Sequence, residues 1–338
     1  MYKLLTKFNH IDNYSVFNDN LLYFKEGFLY LNNSRVIIND EKIIGGYIDF
    51  QGISNIVTHN KVYWYNIFDI LIVTEHFSGF LNIEVSENVR LFRNINLHYC
   101  FYDLQKKEII KTFKAKFNNL YPSAYVNGCL FIHKFPEQII QSLSLLTGLY
   151  KWEVPLNRNG EIFKVLGVRE NELVVCFKQG LDYYGLLGIA IETGKIMWNI
   201  DDNFLLNGLN MSFTSNQASI FSTKGEGRNS YFIELDLTTK QAIRYGEIVD
   251  LCKEKLAIST SFLKDDLVYF TAGNHTFFPN TIGIFDYKTL KLLWKHTFSF
   301  DKHTHLKEMQ VAENKLYVLD SGGTLHIFEK ENVYNEII

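Results

Sequence analysis

One short pattern recurs along this chain at a nearly fixed interval: an apolar strand-like run, a polar turn, and a second run that reaches an aromatic residue. The clearest copies are Leu143-Ser144-Leu145-Leu146-Thr147-Gly148-Leu149-Tyr150-Lys151-Trp152 and Ala190-Ile191-Glu192-Thr193-Gly194-Lys195-Ile196-Met197-Trp198. Residues 236–240 and 286–294 carry two more copies, 103–110 a weaker one and 328–333 the last. Aligned on the turn residue, the copies fall at Lys106, Thr147, Thr193, Thr239, Thr289 and Asn332, with spacings of 41, 46, 46, 50 and 43. A four-stranded blade takes ~40–50 residues. Another strand-like run, opened by a polar turn, precedes several of these anchors, as at 171–177, 266–270 and 314–319, and residues 20–24 match it at the front.

The repeat has a direct physical reading. A Thr-Gly pair between two strands supplies a tight turn, because glycine accepts a positive φ without a Cβ clash. The Trp four residues after the Gly lines the outer strand, where a large ring can bury against the neighbouring blade. A lone blade leaves apolar faces exposed, and stacking neighbours around a ring buries them. The expected fold is therefore all-β, a β-propeller of four-stranded blades. The 338 residues divided by the period give about seven blades, with six or eight open because the front of the chain carries the poorest copies. A single domain over 1–338 is expected, its N-terminal strand closing the ring with the C-terminal blade. The composition agrees, with 28 Phe, 20 Tyr and only 4 Pro; aromatic residues favour pleated, half-buried surfaces. No segment of a dozen residues keeps a helical period, and Pro136-Glu137-Gln138-Ile139-Ile140 fits the repeat better as strand.

Charge and cysteine usage exclude several classes. The net charge is -3, without the basic excess that marks a nucleic-acid binder. No run of 18 apolar residues exists, so no membrane span is expected. The first ten residues lack the apolar stretch of a secretory signal, so a cytoplasmic location is expected and the sequons at Asn13, Asn32, Asn210 and Asn274 are read as chance. Cys100, Cys129, Cys176 and Cys252 lie far apart with no CxxC pair, which fits buried free thiols rather than a disulfide or zinc framework.

The repeat resembles that of pyrroloquinoline-quinone-type propellers, whose blades carry a consensus close to Ala-x-Asp-x-x-Thr-Gly-x-x-x-Trp. Thr147-Gly148 with Trp152 and Thr193-Gly194 with Trp198 match its second half. Asp286, Thr289 and Trp294 match with Leu290 in place of the Gly, and Asp236 and Thr239 match with Arg244 where the Trp would stand. The resemblance covers roughly residues 95–338. For the enzymes of that family it implies a quinone, a calcium ion and a catalytic Asp. This chain shows no calcium-binding cluster of Asp, Glu and Asn and no adjacent-cysteine pair, so no cofactor is expected. In size and architecture it is also similar to propellers that act as immunity proteins of bacterial toxin systems, or as orphan interaction modules.

No nucleophile elbow or other catalytic signature occurs. His303 and His305 would share one face if they lay on a strand, but no third ligand is near and a solvated loop is the simpler reading. Residues 222–230 are Gly-rich yet lack Gly-Lys-Ser/Thr and open no helix, so a hairpin is expected there rather than a phosphate cradle. Asp201-Asp202 and Asp265-Asp266 read as turn residues. Two segments with adjacent aromatics between polar, Gly-flanked residues, 178–185 and 272–280, are read as inserted loops. With the hairpin they supply the candidate partner-binding residues Tyr183, Tyr184, His275, Phe277, Phe278 and Arg228, since aromatic and Arg side chains dominate interface hot spots. The chain is thus expected to be a non-enzymatic protein-binding scaffold, monomeric apart from its partner, and in one version an immunity protein covering a toxin's active site. A small-ligand or carbohydrate-active propeller working from the central channel stays open beside it.

Overall fold

The computed structural model describes residues 2–18, 20–37, 42–48, 53–58, 61–66, 70–76, 82–86, 89–93, 98–113, 120–126, 129–134, 139–144, 147, 149–155, 160–179, 183–200, 210–301 and 303–331. Among them the chain is nearly all strand, with one short helix, Val249–Lys253. The described strands form eight four-stranded antiparallel sheets. Seven run as meanders over 11–35, 43–76, 82–113, 120–155, 160–200, 212–247 and 257–297, called blades 1 to 7. Blade 8 takes three strands from 306–330 and its outer strand from the N-terminus: Tyr2–Phe8 pairs antiparallel with Leu325–Lys330. This is the blade architecture of a β-propeller. Eight blades is the upper end of the range that the repeat leaves open. The first three blades are shorter than the interval between the clear copies, so that interval divides the chain too coarsely.

The chain divides into two compact units. One holds 1–117 with 304–338, and the other 118–303. In the first, blades 8 and 1 share a core of Ile11, Tyr14, Leu21, Tyr23, Tyr317 and Leu319, and the Tyr14 hydroxyl donates to the Tyr317 carbonyl at 3.0 Å. In the second, three cores succeed one another. Phe131, Val154, Leu173 and Ile189 join blades 4 and 5, Val174, Leu186, Ile220 and Ile233 join blades 5 and 6, and Phe221, Ile258, Phe270 and Phe285 join blades 6 and 7. Each core takes side chains from two successive blades, as stacking of repeats requires.

The turn that anchors the repeat has one backbone form throughout. Lys107, Gly194, Lys240 and Leu290 occupy the same place in four copies, and all have positive φ, between 57° and 71°. Only one of the four is glycine; Gly148 lies outside the described residues. The Asp of the repeat closes the turn. Asp236 Oδ1 accepts from the Thr238 and Thr239 amides, and Asp286 Oδ1 from the Thr289 amide and hydroxyl. Those bonds to the ionised form hold both carboxyls below their ordinary range. Asp265 and Asp266 are the centre of a hairpin between Ala257–Lys264 and Leu267–Gly273, both at positive φ, the geometry of a tight hairpin turn. Asp201 and Asp202 lie outside the described residues. Around 136–140 only the strand Ile139–Ser144 is described.

Candidate interaction face

Every blade of the second unit contributes a connection between its second and third strands, and in a meander these connections fall at one end of the blade. Blades 5, 6 and 7 carry the three candidate segments at this same place: 180–182, 227–228 and 274–280.

In blade 7, strand Leu267–Gly273 ends and Thr281–Asp286 begins across a seven-residue loop. The loop is tied down by backbone bonds: Phe278 N–H to the His275 carbonyl at 3.3 Å, Asn280 N–H to Ala272 at 3.0 Å, and Phe298 N–H to Asn280 at 2.8 Å. Pro279 is buried beneath it. What the loop presents outward is aromatic. Phe277 is 74% exposed and Phe278 59%, and the His275 ring stacks on Phe277 at 5.9 Å.

The Gly-rich segment of blade 6 forms the expected hairpin, Ser219–Glu226 against Asn229–Asp236, with exposed Arg228 at its tip. Its glycines have structural work. A Cβ on Gly225 would stand 2.3 Å from the Ile258 carbonyl and 2.8 Å from Thr276 Cγ2, so only glycine allows the hairpin to lie against blade 7 and its loop. Beside the hairpin's tip, the Ser230 hydroxyl donates to the Leu256 carbonyl at 2.7 Å, and the Ser230 carbonyl accepts from Ile248 N–H at 2.8 Å. These bonds set helix Val249–Lys253, with exposed Val249, at the same end.

In blade 5 the structure corrects the expectation of an inserted aromatic loop. The connection is only 180–182, and Tyr183 and Tyr184 open the strand Tyr183–Ala190, paired with Gln179 and Lys178. The Lys178 ammonium lies 5.6 Å from the Tyr184 ring centre, and that ring packs against the core between blades 5 and 6. The alternation of a strand, not a loop, turns Tyr184 inward. His303 and His305 lie in the connection before Leu306, where blade 8 begins, as the loop reading expects. His303 N–H bonds Asp301 Oδ1, and His305 N–H bonds the Ser321 hydroxyl. Among the described residues no three His, Cys, Asp or Glu side chains are placed to hold a metal ion. A polar groove of about 460 Å³ in the first unit is lined by His10, Asp12, Glu26, Lys307 and Asp320. Its Asp320 is already committed to the His326 ring at 2.9 Å and the Thr324 amide.

Sequence reasoning missed the junction between blades 6 and 7. The buried Glu234 carboxylate accepts from the Ser219 hydroxyl at 2.6 Å, from Arg244 Nε at 2.7 Å and from the Tyr287 hydroxyl. Burial pushes the Glu234 carboxyl up, but the bonds from Ser219, Tyr287 and Arg244 outweigh it and leave it below the ordinary range. Burial, with the bond to Glu234, raises the Tyr287 phenol to about 12, so it remains the donor. The signal was available: Arg244 stands where the repeat expects Trp.

No sequence model of a known family matches this chain, nor does any curated protein. Solved structures do match it. The C-terminal WD40 domain of Sif2 is similar over 98% of this chain and 99% of its own, at 10% identity and TM-score 0.67. Sqt1 of Saccharomyces cerevisiae is similar over 97% and 99%, at 10% identity and TM-score 0.63. BamB from Moraxella catarrhalis is similar over 97% and 100%, at 12% identity and TM-score 0.59. Identity this low speaks to the β-propeller fold and to nothing finer.

Proposed function

We propose that this chain is a non-enzymatic scaffold that binds another protein through the end of blades 6 and 7 carrying Phe277, Phe278, His275 and Arg228. The observation that carries this is the loop 274–280. It is held by its own backbone bonds, yet it leaves two adjacent phenylalanines facing outward. A buried aromatic ring removes 150–250 Å² from contact with water, and a loop already ordered loses little entropy on binding. Rigid aromatic anchors beside an Arg are the composition of interface hot spots. Tyr183 and Tyr184 open a strand beside this end rather than forming a loop.

The propeller is proposed to act as a monomer apart from its partner, in the cytoplasm. Four cysteines that form no disulfide, three of them buried, support a reducing compartment. Membership of the pyrroloquinoline-quinone-type repeat group is proposed on the docking of Trp152 over Gly194, where a Cβ would stand 2.6 Å from the ring. The immunity version adds that the partner is a toxin encoded beside this chain.

Affinity capture from the native cell lysate, with tagged wild type and the Phe277→Ala/Phe278→Ala double variant as paired baits, tests the proposal. One stoichiometric partner held by the wild type and lost by an equally stable variant is expected. Equal capture by both baits, or no partner at all, overturns it. A partner encoded elsewhere removes only the immunity version.

A further inference from the structure

We propose that the blade 6 hairpin is a strut that holds the crest of the phenylalanine loop in its binding shape, which makes Gly225 and Thr276 positioning residues for Phe277 and Phe278. This rests on the scaffold reading above and names how that site is kept ready. The backbone bonds of the loop fix its shoulders, at the His275 carbonyl and at the amides of Phe278 and Asn280. Among the described residues no backbone bond reaches the crest itself, at Thr276 and Phe277. What meets the crest is the hairpin. Thr276 Cγ2 lies 2.8 Å from the place a Cβ on Gly225 would take, so this methyl packs directly on the Gly225 backbone.

The hairpin can serve as a strut because it is itself anchored on blade 7. Gly225 lies against the Ile258 backbone. Across the ladder Gly225 pairs with Ser230, whose buried hydroxyl donates to the Leu256 carbonyl at 2.7 Å and accepts from the Ile258 amide at 2.9 Å. Blade 7 thus carries both the loop and the footing of its strut, and blade 6 lends the strut. Segments held by few contacts open locally without global unfolding, and a loop that is already ordered loses less entropy on binding than one frozen at contact. A hairpin lifted off Ile258 therefore leaves the blades folded and the aromatic site slack. Glycine at 225 permits the approach, and threonine at 276 supplies the methyl that serine lacks and valine keeps.

Amide hydrogen exchange on the free full-length protein tests this, in wild type, Thr276→Ser, Thr276→Val and Gly225→Ala, with urea midpoints measured alongside. Loss of one packed methyl in Thr276→Ser is expected to speed exchange at the Phe278 and Asn280 amides by about threefold, with the urea midpoint unchanged. Thr276→Val keeps the methyl and is expected to exchange as wild type does. Gly225→Ala is expected to speed exchange by roughly tenfold in the loop and the hairpin together, with the strands of blades 4 and 5 unaffected. Should Gly225→Ala fail to fold, the two Thr276 variants decide. Wild-type exchange in Thr276→Ser, equal speeding in Thr276→Val, or a Gly225→Ala hairpin that loosens while the loop stays protected overturns the strut. None of these measurements involves a partner, so the strut can fail while the capture experiment still supports the scaffold reading, and the scaffold reading can fail while the strut stands.

Discussion

The guanidinium of Arg244 donates to the carbonyl oxygen of Tyr287 at 3.1 Å, reaching from the outer strand of blade 6 to the turn of blade 7. Trp152 does the same from blade 4, its indole N–H donating to the Ile191 carbonyl of blade 5 at 2.8 Å. Between blades 5 and 6 the equivalent carbonyl, Leu237, accepts from Arg169 at 3.0 Å. Trp198 instead bonds Glu172 of its own blade, with the Lys240 ammonium 4.2 Å from its ring centre. Three successive junctions thus satisfy one acceptor with three different donors. An Arg offers several donors in a planar fork, so Arg244 also reaches the Lys288 carbonyl at 2.8 Å while pairing with Glu234.

Arg244→Ala should destabilise the protein by about 2–4 kcal/mol, because it leaves the buried Glu234 carboxylate without its cation. Arg244→Lys should recover only a minor part, since an ammonium cannot span Glu234, Tyr287 and Lys288 together. Urea unfolding of the two variants checks this; equal recovery by Lys would show that charge alone matters.

Glu234 predicts an acid-dependent junction. Its carboxyl titrates lower folded than unfolded, so its contribution is fully present above the ordinary value of about 4.3 and is lost as pH falls through the folded value. The stability gap between wild type and Glu234→Gln should therefore be largest near neutral pH and shrink below about pH 4. Urea midpoints across pH 3 to 7 measure it, and a gap that stays constant would be contrary.

Lys107 occupies the left-handed region with φ 57° and an exposed side chain. Relief of that backbone strain, worth ~1–2 kcal/mol, exceeds the extra entropy of glycine in the unfolded chain. Lys107→Gly should therefore raise stability by about 0.5–1 kcal/mol, read as a higher melting temperature. Gly194→Ala should do the reverse, since at φ 71° the new Cβ also meets the Trp152 ring.

How much of this was legible follows from where the information sits. The turn residues of the repeat are local: an Asp that caps and a residue that bends leave a fixed spacing, so the blades from about residue 95 onward could be placed. The front blades have the same strands with shorter intervals and no Thr-Gly signal, so the number of blades had to come from pairing. Phe277 and Phe278 were legible because a Gly-flanked, Pro-containing stretch between strands exposes what it carries. Tyr183 and Tyr184 were not, since nothing local says whether a strand resumes after two residues or five. The Glu234, Arg244 and Tyr287 junction joins residues far apart in sequence, and only the stacked blades bring them together.

The most direct test of the central claim is hydrogen–deuterium exchange on the purified complex with the captured partner, compared with the free protein. The account predicts slowed exchange at residues 226–230 and 274–280, with little change on the outer strands. Protection confined to the outer strands, or to the first unit, would contradict it.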